Sequence, residues 1–344
     1  MKMRTLGRTG LTVSPFSLGT MMFGPAGTPD PEDCEKILHR ALDAGINVID
    51  TADVYGGGET EVILGKTLKG RRDGVVLATK FSGPVDEDPN HRGASRRWIV
   101  TAVEDSLRRL DVDHIDLYQI HHFDPATDLD ETLSALTDLV TAGKVRAIGS
   151  SSFLASDIVE AQWTSEQRGL ARLRTEQPSY SILARSIERE ILPVCDRYGM
   201  GVLTWSPLAW GLLTGKYRAG QDTPVSPGRL HWGPRHMSDR NKSAVVEQLS
   251  TVARDAGISM THLALGVIMA HPSVMSAIIG PRTLAQLDDL LAGAAVTLDD
   301  DVLDRIDEIV PPGTDVGVSE VAYVPQSLSR TELRRRPAKD RAAA

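Results

Sequence analysis

Short apolar runs alternate with longer amphipathic stretches along most of the chain. The apolar runs occupy residues 15–20, 46–52, 74–81, 114–122, 144–153, 171–177, 201–208 and 276–280. Helical patterns follow at residues 59–69, 95–110, 130–142, 155–168, 187–198 and 283–292, among others. Valine- and isoleucine-rich runs that are apolar on both faces are typical of parallel strands covered by helices. The pattern therefore predicts eight strand-then-helix units and an α/β fold.

Residues that favour helix ends agree with this division of the chain. Pro31 and Ser95 suit the first positions of helices, and Gly45, Gly143 and Gly199 stand just beyond predicted helix ends. Such units can form either an open doubly wound sheet or a closed barrel, and periodicity alone does not separate the two.

The position of the unusual residues favours the barrel. Polar residues and one glycine fall at the predicted carboxyl ends of successive strands, namely Asp50, Lys80, His121, Ser151, Gln177, Ser206 and Gly280. In a barrel these ends meet on one face, where active sites lie, whereas an open sheet would spread them along an edge. We therefore predict a (β/α)8 TIM barrel.

Three segments lie outside the repeating units. Residues 3–14 are expected to form a β-hairpin, turning at Gly7 or Gly10, that closes the bottom of the barrel. Residues 218–240, after strand seven, form a long Pro/Gly-rich loop typical of a lid, a binding loop or disorder. We expect one domain over residues 1–315 and a partly disordered extension over 316–344. The basic residues of that extension indicate a solvated end rather than a targeting or nucleic-acid site.

Composition narrows the function classes. The apolar and charged fractions, 41% and 24%, are ordinary for a globular protein. The net charge of −8 disfavours nonspecific nucleic-acid binding. Cys34 and Cys195 are far apart and indicate neither a zinc site nor a disulfide framework, which fits the reducing cytoplasm. We find no secretory signal and no apolar run long enough to span a membrane, so we expect a cytoplasmic protein.

Several familiar motifs are missing. No strand is followed by G-x-G-x-x-G, no tyrosine has a lysine four positions later, and there is no G-x-S-x-G elbow. Residues 211–217 faintly resemble a P-loop, but the spacing is short and Tyr217 stands where Ser or Thr is needed. No two histidines have the spacing of a helical metal site.

Four residues near consecutive strand ends suggest acid–base chemistry. Asp50 ends strand two, Tyr55 lies in the loop behind it, and Lys80 and His121 end strands three and four. A carboxylate facing a lysine favours its charged form, and a nearby ammonium stabilises a phenolate. Such a phenol can give its proton to a carbonyl oxygen while a hydride reaches the carbon. The imidazole at His121 would complete the oxyanion pocket.

Each of these residues also has a purely structural interpretation. Asp50 is compatible with a helix N-cap, Tyr55 with a loop aromatic, Lys80 with a surface residue and His121 with a satisfied core histidine. A lysine that ends an apolar strand is costly without a partner, however, and four such residues together make coincidence a poor explanation.

The sequence resembles the aldo-keto reductases, in particular the branch that includes the voltage-gated potassium channel β subunits. The similar segments run in order along residues 3–310 and are DTADVYGGGETEVILGKTLK, ATKF, DLYQIHHFD, GKVRAIGSSSF, EQPSYSIL, TWSPLAWGLLTGKY and IIGPRT. The resemblance implies a (β/α)8 barrel, NADPH as cofactor and no metal. It also implies that Tyr55 is the general acid, supported by Asp50, Lys80 and His121.

The resemblance further implies the position of the cofactor. Ser151, Ser152 and Gln177 would bind the nicotinamide carboxamide, and Trp205 would stack on the ring. The remaining cofactor contacts implied are Gly19, Thr20, Met21, Asp50, Ser206, Leu208, Gly211, Lys216, Gly280, Arg282, Gln286 and Asp289. Arg282 is the candidate for the 2′-phosphate, because a guanidinium binds two oxygens at once, although a solvated helix start is the alternative. The family usually has Asn where this chain has Ser152, which puts that contact in doubt, and Trp205 would otherwise be a core residue.

Five aromatic residues are candidates for the wall of a substrate pocket, or else for packing at the barrel mouth: Phe23, Phe81, Phe123, Trp210 and Trp232. We expect an enzyme that reduces small aldehydes or ketones with NADPH, and an oligomer is possible. The alternatives are a nucleotide-binding regulatory subunit and, less favoured, a metal-dependent barrel hydrolase. The substrate and the reaction direction do not follow from the sequence.

Overall fold

The computed structural model describes residues 1–25, 27–217, 234–318, 320, 328 and 330–341. The chain begins with an antiparallel hairpin of two short strands, β1 (Arg4–Thr5) and β2 (Thr12–Val13). Its turn uses the positive φ angles of Gly7 (53°) and Gly10 (78°), which glycine adopts without strain. The predicted hairpin is confirmed.

Eight parallel strands then close into a barrel. They are β3 (Phe16–Gly19), β4 (Val48–Asp50), β5 (Val76–Phe81), β6 (Ile115–Ile120), β7 (Val145–Ser151), β8 (Leu173–Gln177), β9 (Gly201–Thr204) and β10 (Val274–Ile279). Each strand pairs with the next, and β10 pairs with both β9 and β3. Because the sheet has no free edge, the (β/α)8 barrel is confirmed and the open sheet is excluded.

Helices cover the outside of the barrel. They are α1 (Pro31–Asp43), α2 (Glu59–Thr67), α3 (Arg96–Leu110), α4 (Leu129–Thr141), α5 (Ala155–Arg168), α6 (Ile191–Tyr198), α7 (Pro234–Met237), α8 (Arg240–Asp255), α9 (Met260–Ala270), α10 (Leu284–Gly293), α11 (Asp300–Ile309) and α12 (Thr331–Arg334). The apolar faces of α1 to α6, α9 and α10 pack on outward side chains of the strands, such as Phe16, Leu77 and Ile148, and form the main core. Helices α8 and α11 belong to a second core cluster, and α12 is exposed. No helix in the described part of the chain is long and apolar enough to cross a membrane.

Local chemistry sets most of the helix boundaries. The Ser95 hydroxyl accepts a hydrogen bond from the backbone N–H of Trp98 and caps α3, as predicted. The helix predicted over 187–198 is instead a 3-10 turn at Ser186–Glu188 followed by α6. Pro193 explains the break, because a residue without an N–H is tolerated in the first turn of a helix but not in its interior.

The hairpin lies against the amino ends of the strands. Leu6 and Val13 are fully buried there among inward side chains of the barrel such as Val48 and Leu117. Arg4 donates from its guanidinium to the carbonyl oxygen of Val274 at 2.7 Å. The bottom of the barrel is therefore closed by the hairpin, and the carboxyl ends of the strands are left to form a site.

Candidate functional site

A cavity of about 610 Å³ opens at the carboxyl ends of the barrel strands. Asp50, Ser151 and Gln177, the last residues of β4, β7 and β8, line it together with Tyr55 and His121. Parallel strands bring their carboxyl ends to one face, so residues far apart in sequence meet around one space. This is the face on which the sequence placed the unusual residues.

Lys80 lies beneath the cavity and is paired from several sides. Its Nζ donates to Asp50 Oδ1 at 2.6 Å, to the carbonyl oxygen of Thr51 at 2.9 Å and to the Tyr55 hydroxyl at 3.4 Å. Only 1% of the side chain is exposed. Burial disfavours the ammonium, but Asp50 and then Tyr55 favour it more strongly, so the pKa of Lys80 lies above its ordinary value. The lysine therefore stays charged.

Tyr55 reaches this lysine because the chain turns sharply after it. A 3-10 helix spans Tyr55–Gly58, and Gly56, Gly57 and Gly58 have φ angles of 58°, 65° and 94°. Three consecutive residues in the left-handed region require glycine, because side chains rarely adopt it. The turn places the phenol ring 5.1 Å from Lys80 Nζ, and Tyr55 lines the cavity.

His121 directly follows β6 and stands across from Tyr55. The two ring centroids are 6.0 Å apart with an interplanar angle of 79°. Burial, followed by Lys80 and His122, lowers the pKa of His121 well below its usual value, so the imidazole is neutral. His122 stacks on it at 4.4 Å and also lines the cavity. His122 was not predicted from the sequence, although its place beside His121 was a usable signal.

Gln177 holds the second carboxylate oxygen of Asp50. Its Nε2 donates to Asp50 Oδ2 at 2.8 Å, while Lys80 donates to Oδ1. The Ser151 hydroxyl in turn donates to the carbonyl oxygen of Gln177 at 2.9 Å. Both oxygens of Asp50 are thus held, and the four residues form one connected buried network in which each polar group restricts the next.

The structure brings every residue predicted for the cofactor into this one cavity. The lining contains Gly19, Thr20, Met21, Asp50, Ser151, Ser152, Gln177, Trp205, Ser206, Leu208, Gly211, Lys216, Gly280, Arg282, Gln286 and Asp289. Further lining residues were not predicted, among them Pro207, Thr214, Thr261, Ile278, Pro281 and Leu290. Most of these side chains have no reactive or charged group that would mark them as site residues in the sequence, and they contribute only to the shape of the cavity.

Two cations face each other at the outer part of the cavity. Burial, and then Arg282, lower the pKa of Lys216. Neither side chain has a carboxylate partner within the described residues. Arg282 is held by its backbone, whose N–H donates to Gln286 Oε1 at 2.8 Å, just before α10 begins. Like charges brought together without an acid between them favour an anionic ligand.

The predicted aromatic wall is only partly assembled. Trp210 lines the cavity. Phe23 and Phe81 do not reach it, because both are fully buried in the core, where Phe81 stacks on Tyr118 at 4.8 Å. Phe123 packs edge-on against Phe153 at 5.3 Å and is not part of the lining. Trp232 lies outside the described residues.

Three non-glycine residues around the cavity have strained backbones. The φ angles are 57° at Ser152, 58° at Ser206 and 61° at Trp210. Left-handed conformations cost such residues about 1–3 kcal/mol each, and they persist only where surrounding contacts impose them. The backbone at these three positions is therefore held in place by the contacts around the cavity.

A buried acid lies behind the loop that carries Tyr55. Asp53 is 2% exposed, and within the described residues no side-chain donor reaches either of its carboxyl oxygens. Glu61, which pairs with Arg109 at 2.7 Å, is also buried nearby. Burial, and then the charge of Glu61, raise the pKa of Asp53 to about 8. Asp53 is therefore largely protonated at neutral pH.

Within the described residues, no group of three or more His, Cys, Asp or Glu side chains could hold a metal ion. The arrangement instead combines a neutral imidazole, a phenol and a buried lysine–carboxylate pair at one end of an elongated cavity. At the other end are Lys216 and Arg282, which have no carboxylate partner in the part of the chain that the structure describes. Such a site can transfer a proton to a substrate while it holds an anionic, extended ligand.

Comparison with known proteins agrees with this geometry. The aldo/keto reductase family model matches residues 15–311. The uncharacterized oxidoreductase YrpG of Bacillus subtilis is 40% identical over 91% of this chain and 97% of its own. A putative aryl-alcohol dehydrogenase of Saccharomyces cerevisiae, AAD16, is 32% identical, with 91% of this chain and 98% of the relative covered. A probable voltage-gated potassium channel subunit beta of Oryza sativa is 34% identical, with 90% and 97% covered. The resemblance seen in the sequence is confirmed, and the chain belongs to the aldo/keto reductase family of oxidoreductases.

Proposed function

We propose that the protein reduces aldehydes or ketones to alcohols with NADPH, and that Tyr55 is the general acid. The observation that carries the proposal is that Tyr55 lines a cavity of about 610 Å³ while its hydroxyl lies 3.4 Å from the ammonium of a buried lysine. The names of the relatives, an oxidoreductase and an aryl-alcohol dehydrogenase among them, support redox chemistry on alcohols and carbonyls.

The residues divide the work of proton transfer. Tyr55 donates its hydroxyl proton to the carbonyl oxygen of the substrate. The phenolate left behind is stabilised by Lys80, which Asp50 keeps charged and in place. In the reverse direction the phenolate accepts the proton from the alcohol, so the same group serves both directions.

His121 binds the oxygen on which the proton arrives. Because its pKa is well below neutral, one ring nitrogen carries a hydrogen and the other is free. A neutral imidazole donates a hydrogen bond without competing with Lys80 for the positive charge. It therefore orients the carbonyl toward Tyr55 and stabilises the negative charge that develops on its oxygen.

The cavity fits a dinucleotide. It extends from Asp50 at the barrel centre to Gln286 and Asp289 on α10, and the cations Lys216 and Arg282 stand along it. Gln177 and Ser151 would hold the nicotinamide carboxamide, and Trp205 would cover the ring. Bound NADPH supplies the hydride that reduces the carbonyl carbon. The preference for NADPH over NADH is assigned to Arg282, whose guanidinium would bind the 2′-phosphate.

The test is NADPH consumption at 340 nm with aromatic aldehydes, quinones and ketones. We expect turnover by the wild type and a loss of about 10²–10⁴-fold in kcat for Tyr55→Phe, the range for a general acid, with NADPH binding unchanged. Tyr118→Phe is the matched control. Its hydroxyl is buried and has no hydrogen-bond partner within the described residues, and Tyr118 does not line the cavity, so we expect full activity.

The other outcomes are informative. NADPH binding without turnover of any compound would favour a regulatory subunit, the role that the relative from Oryza sativa carries in its name. Equal activity of Tyr55→Phe and Tyr118→Phe would remove Tyr55 as the acid. A chain that binds no nicotinamide nucleotide would refute the proposed function as a whole.

A further inference from the structure

A buried ion pair that the proposed chemistry does not use lies beside the cavity. Lys242 of α8 donates from Nζ to Glu320 Oε1 at 2.9 Å, and at most 1% of either side chain is exposed. The same ammonium is 3.1 Å from His236 Nδ1. Burial, and then Lys242, lower the pKa of His236 to about 4, so the ring is neutral and Nδ1 accepts this hydrogen bond. The pair is thus fully enclosed and has a third, uncharged partner.

The cluster reaches the cavity through two residues. The Ser206 hydroxyl donates to the second carboxylate oxygen of Glu320 at 3.3 Å. The backbone N–H of Trp210 donates to the same hydroxyl oxygen, also at 3.3 Å. The indole of Trp210 stacks on His236, with centroids 5.7 Å apart and an interplanar angle of 17°. Both the backbone and the ring of Trp210 are therefore held by partners of Lys242 and Glu320.

Trp210 depends on such support more than most residues. Its φ angle of 61° and that of Ser206, 58°, are in the left-handed region, where non-glycine residues are strained. Gly211 follows with a φ angle of 100°. The indole Nε1 of Trp210 is buried and has no hydrogen-bond partner among the described residues, so none of them fixes the ring through this nitrogen. If the contacts from the cluster were lost, relief of strain would favour a different position of the indole.

We propose that Glu320 is a positioning residue for the aromatic wall of the cavity. Held by Lys242, it fixes the hydroxyl of Ser206 and through it the backbone of Trp210. The wall on which a substrate would rest is thereby set by a residue more than 100 positions later in the chain. The consequence for substrate binding rests on the proposed function, whereas the consequence for the position of Trp210 does not.

The first measurement needs neither cofactor nor substrate. The double variant Lys242→Met, Glu320→Met removes both charges at similar side-chain volume and leaves no unpaired buried ion. Ser206→Ala keeps the ion pair but removes the hydroxyl that connects it to Trp210. The near-UV circular dichroism of Trp210 is obtained as the difference between each protein and its Trp210→Phe derivative. We expect both variants to lose most of the Trp210 signal seen in the wild type.

The second measurement separates positioning from stability. We expect the double variant to raise KM for a carbonyl substrate about ten-fold, as for a lost hydrogen bond to a charged group, with kcat changed less than two-fold. Asp116→Asn is the control. Asp116 pairs with Arg72 at 2.7 Å near the amino end of β6, away from the cavity. Its loss should lower the melting temperature but leave both KM and the Trp210 signal unchanged.

Two results would overturn the proposal. One is a Trp210 signal that stays as in the wild type in Ser206→Ala, a variant that keeps the buried pair intact. The other is a folded double variant with unaltered KM, which would mean that the pair only stabilises the chain. If the wild type reduces no carbonyl compound, the proposed function fails, yet the circular dichroism comparison still decides whether Glu320 positions Trp210.

Discussion

Replacing Asp53 with asparagine should make the stability of the protein less sensitive to alkaline pH. The carboxyl group is buried, has no side-chain hydrogen-bond donor among the described residues and lies close to Glu61, and its pKa is about 8 in the folded chain. In the unfolded chain the ordinary value of 3.8 applies. Between these values the folded protein retains a proton that the unfolded chain releases. The free energy of unfolding must therefore fall as the pH rises from about 4 through 8.

The size of the effect follows from the two pKa values. Each unit of pKa difference corresponds to about 1.4 kcal/mol. Over the interval from pH 5 to pH 9, most of the difference between 3.8 and about 8 is expressed, which amounts to roughly 4 kcal/mol. Asparagine has no proton to lose, so Asp53→Asn lacks this contribution. At pH 5 the variant should be no more stable than the wild type, because its amide hydrogens are buried without partners.

The assay is urea unfolding of both proteins at several pH values between 5 and 9. All other titrating groups are common to the two proteins, so the difference between their unfolding free energies isolates residue 53. We expect that difference to move in favour of Asp53→Asn by roughly 4 kcal/mol across the range. Asp73→Asn, at an exposed acid, is the control and should follow the wild type. Parallel curves for wild type and Asp53→Asn would refute the assignment of a neutral Asp53.

Three further changes test other parts of the structure. Lys80→Met should destabilise the fold by about 3–5 kcal/mol in thermal unfolding, because Asp50 would keep a buried charge without its cation, and adding Asp50→Asn should recover part of the loss. Arg282→Ala should raise the dissociation constant of NADPH at least ten-fold more than that of NADH. The control, Arg40→Ala, removes an ion pair with Asp288 and should change neither constant. Equal losses of affinity for both nucleotides would contradict the role of Arg282 at the 2′-phosphate. Gly65→Ala should lower the free energy of unfolding by about 1–3 kcal/mol despite the helix propensity of alanine, because the new Cβ would lie 2.7 Å from the carbonyl oxygens of Arg109 and Leu110. The control, Gly74→Ala, adds a Cβ in open space and should be neutral in the same unfolding assay.

The fold could be predicted because strands and helices alternate regularly along the chain. Most strands are largely buried on both faces, so their sequences are mainly apolar, and several helices begin at capping residues such as Ser95 that act locally. Pro193 shows where such reasoning was incomplete, since the amphipathic pattern continues across it while the helix begins just before it. The third and fourth strands were placed within two residues because the runs that form them are long.

The candidate site was predictable where it depends on strand ends and less so elsewhere. Asp50 and Lys80 are functional candidates because an ion is costly at the end of an apolar strand, and sequence shows this directly. The prediction that Phe81 lines the substrate pocket was wrong, because neighbouring residues of a strand point to opposite faces of the sheet. Phe81 therefore faces the helices, while Lys80 faces the interior of the barrel. Glu320 could not be found, because its partner Lys242 is 78 residues away and neither lies in a motif.

The contacts of the hairpin and the last strand mean that the barrel can close only late in synthesis of the chain. β3 near the amino terminus pairs with β10, and Arg4 is bonded to Val274, 270 residues later. At about 5–20 residues per second, a ribosome needs roughly 15–50 seconds to travel that distance. Throughout this time the nascent sheet has an exposed edge, the kind of surface on which chains aggregate. Chaperones that bind unfinished chains should therefore occupy this protein until β10 has emerged, and products that stop short of it should be cleared rather than accumulate as smaller folded domains.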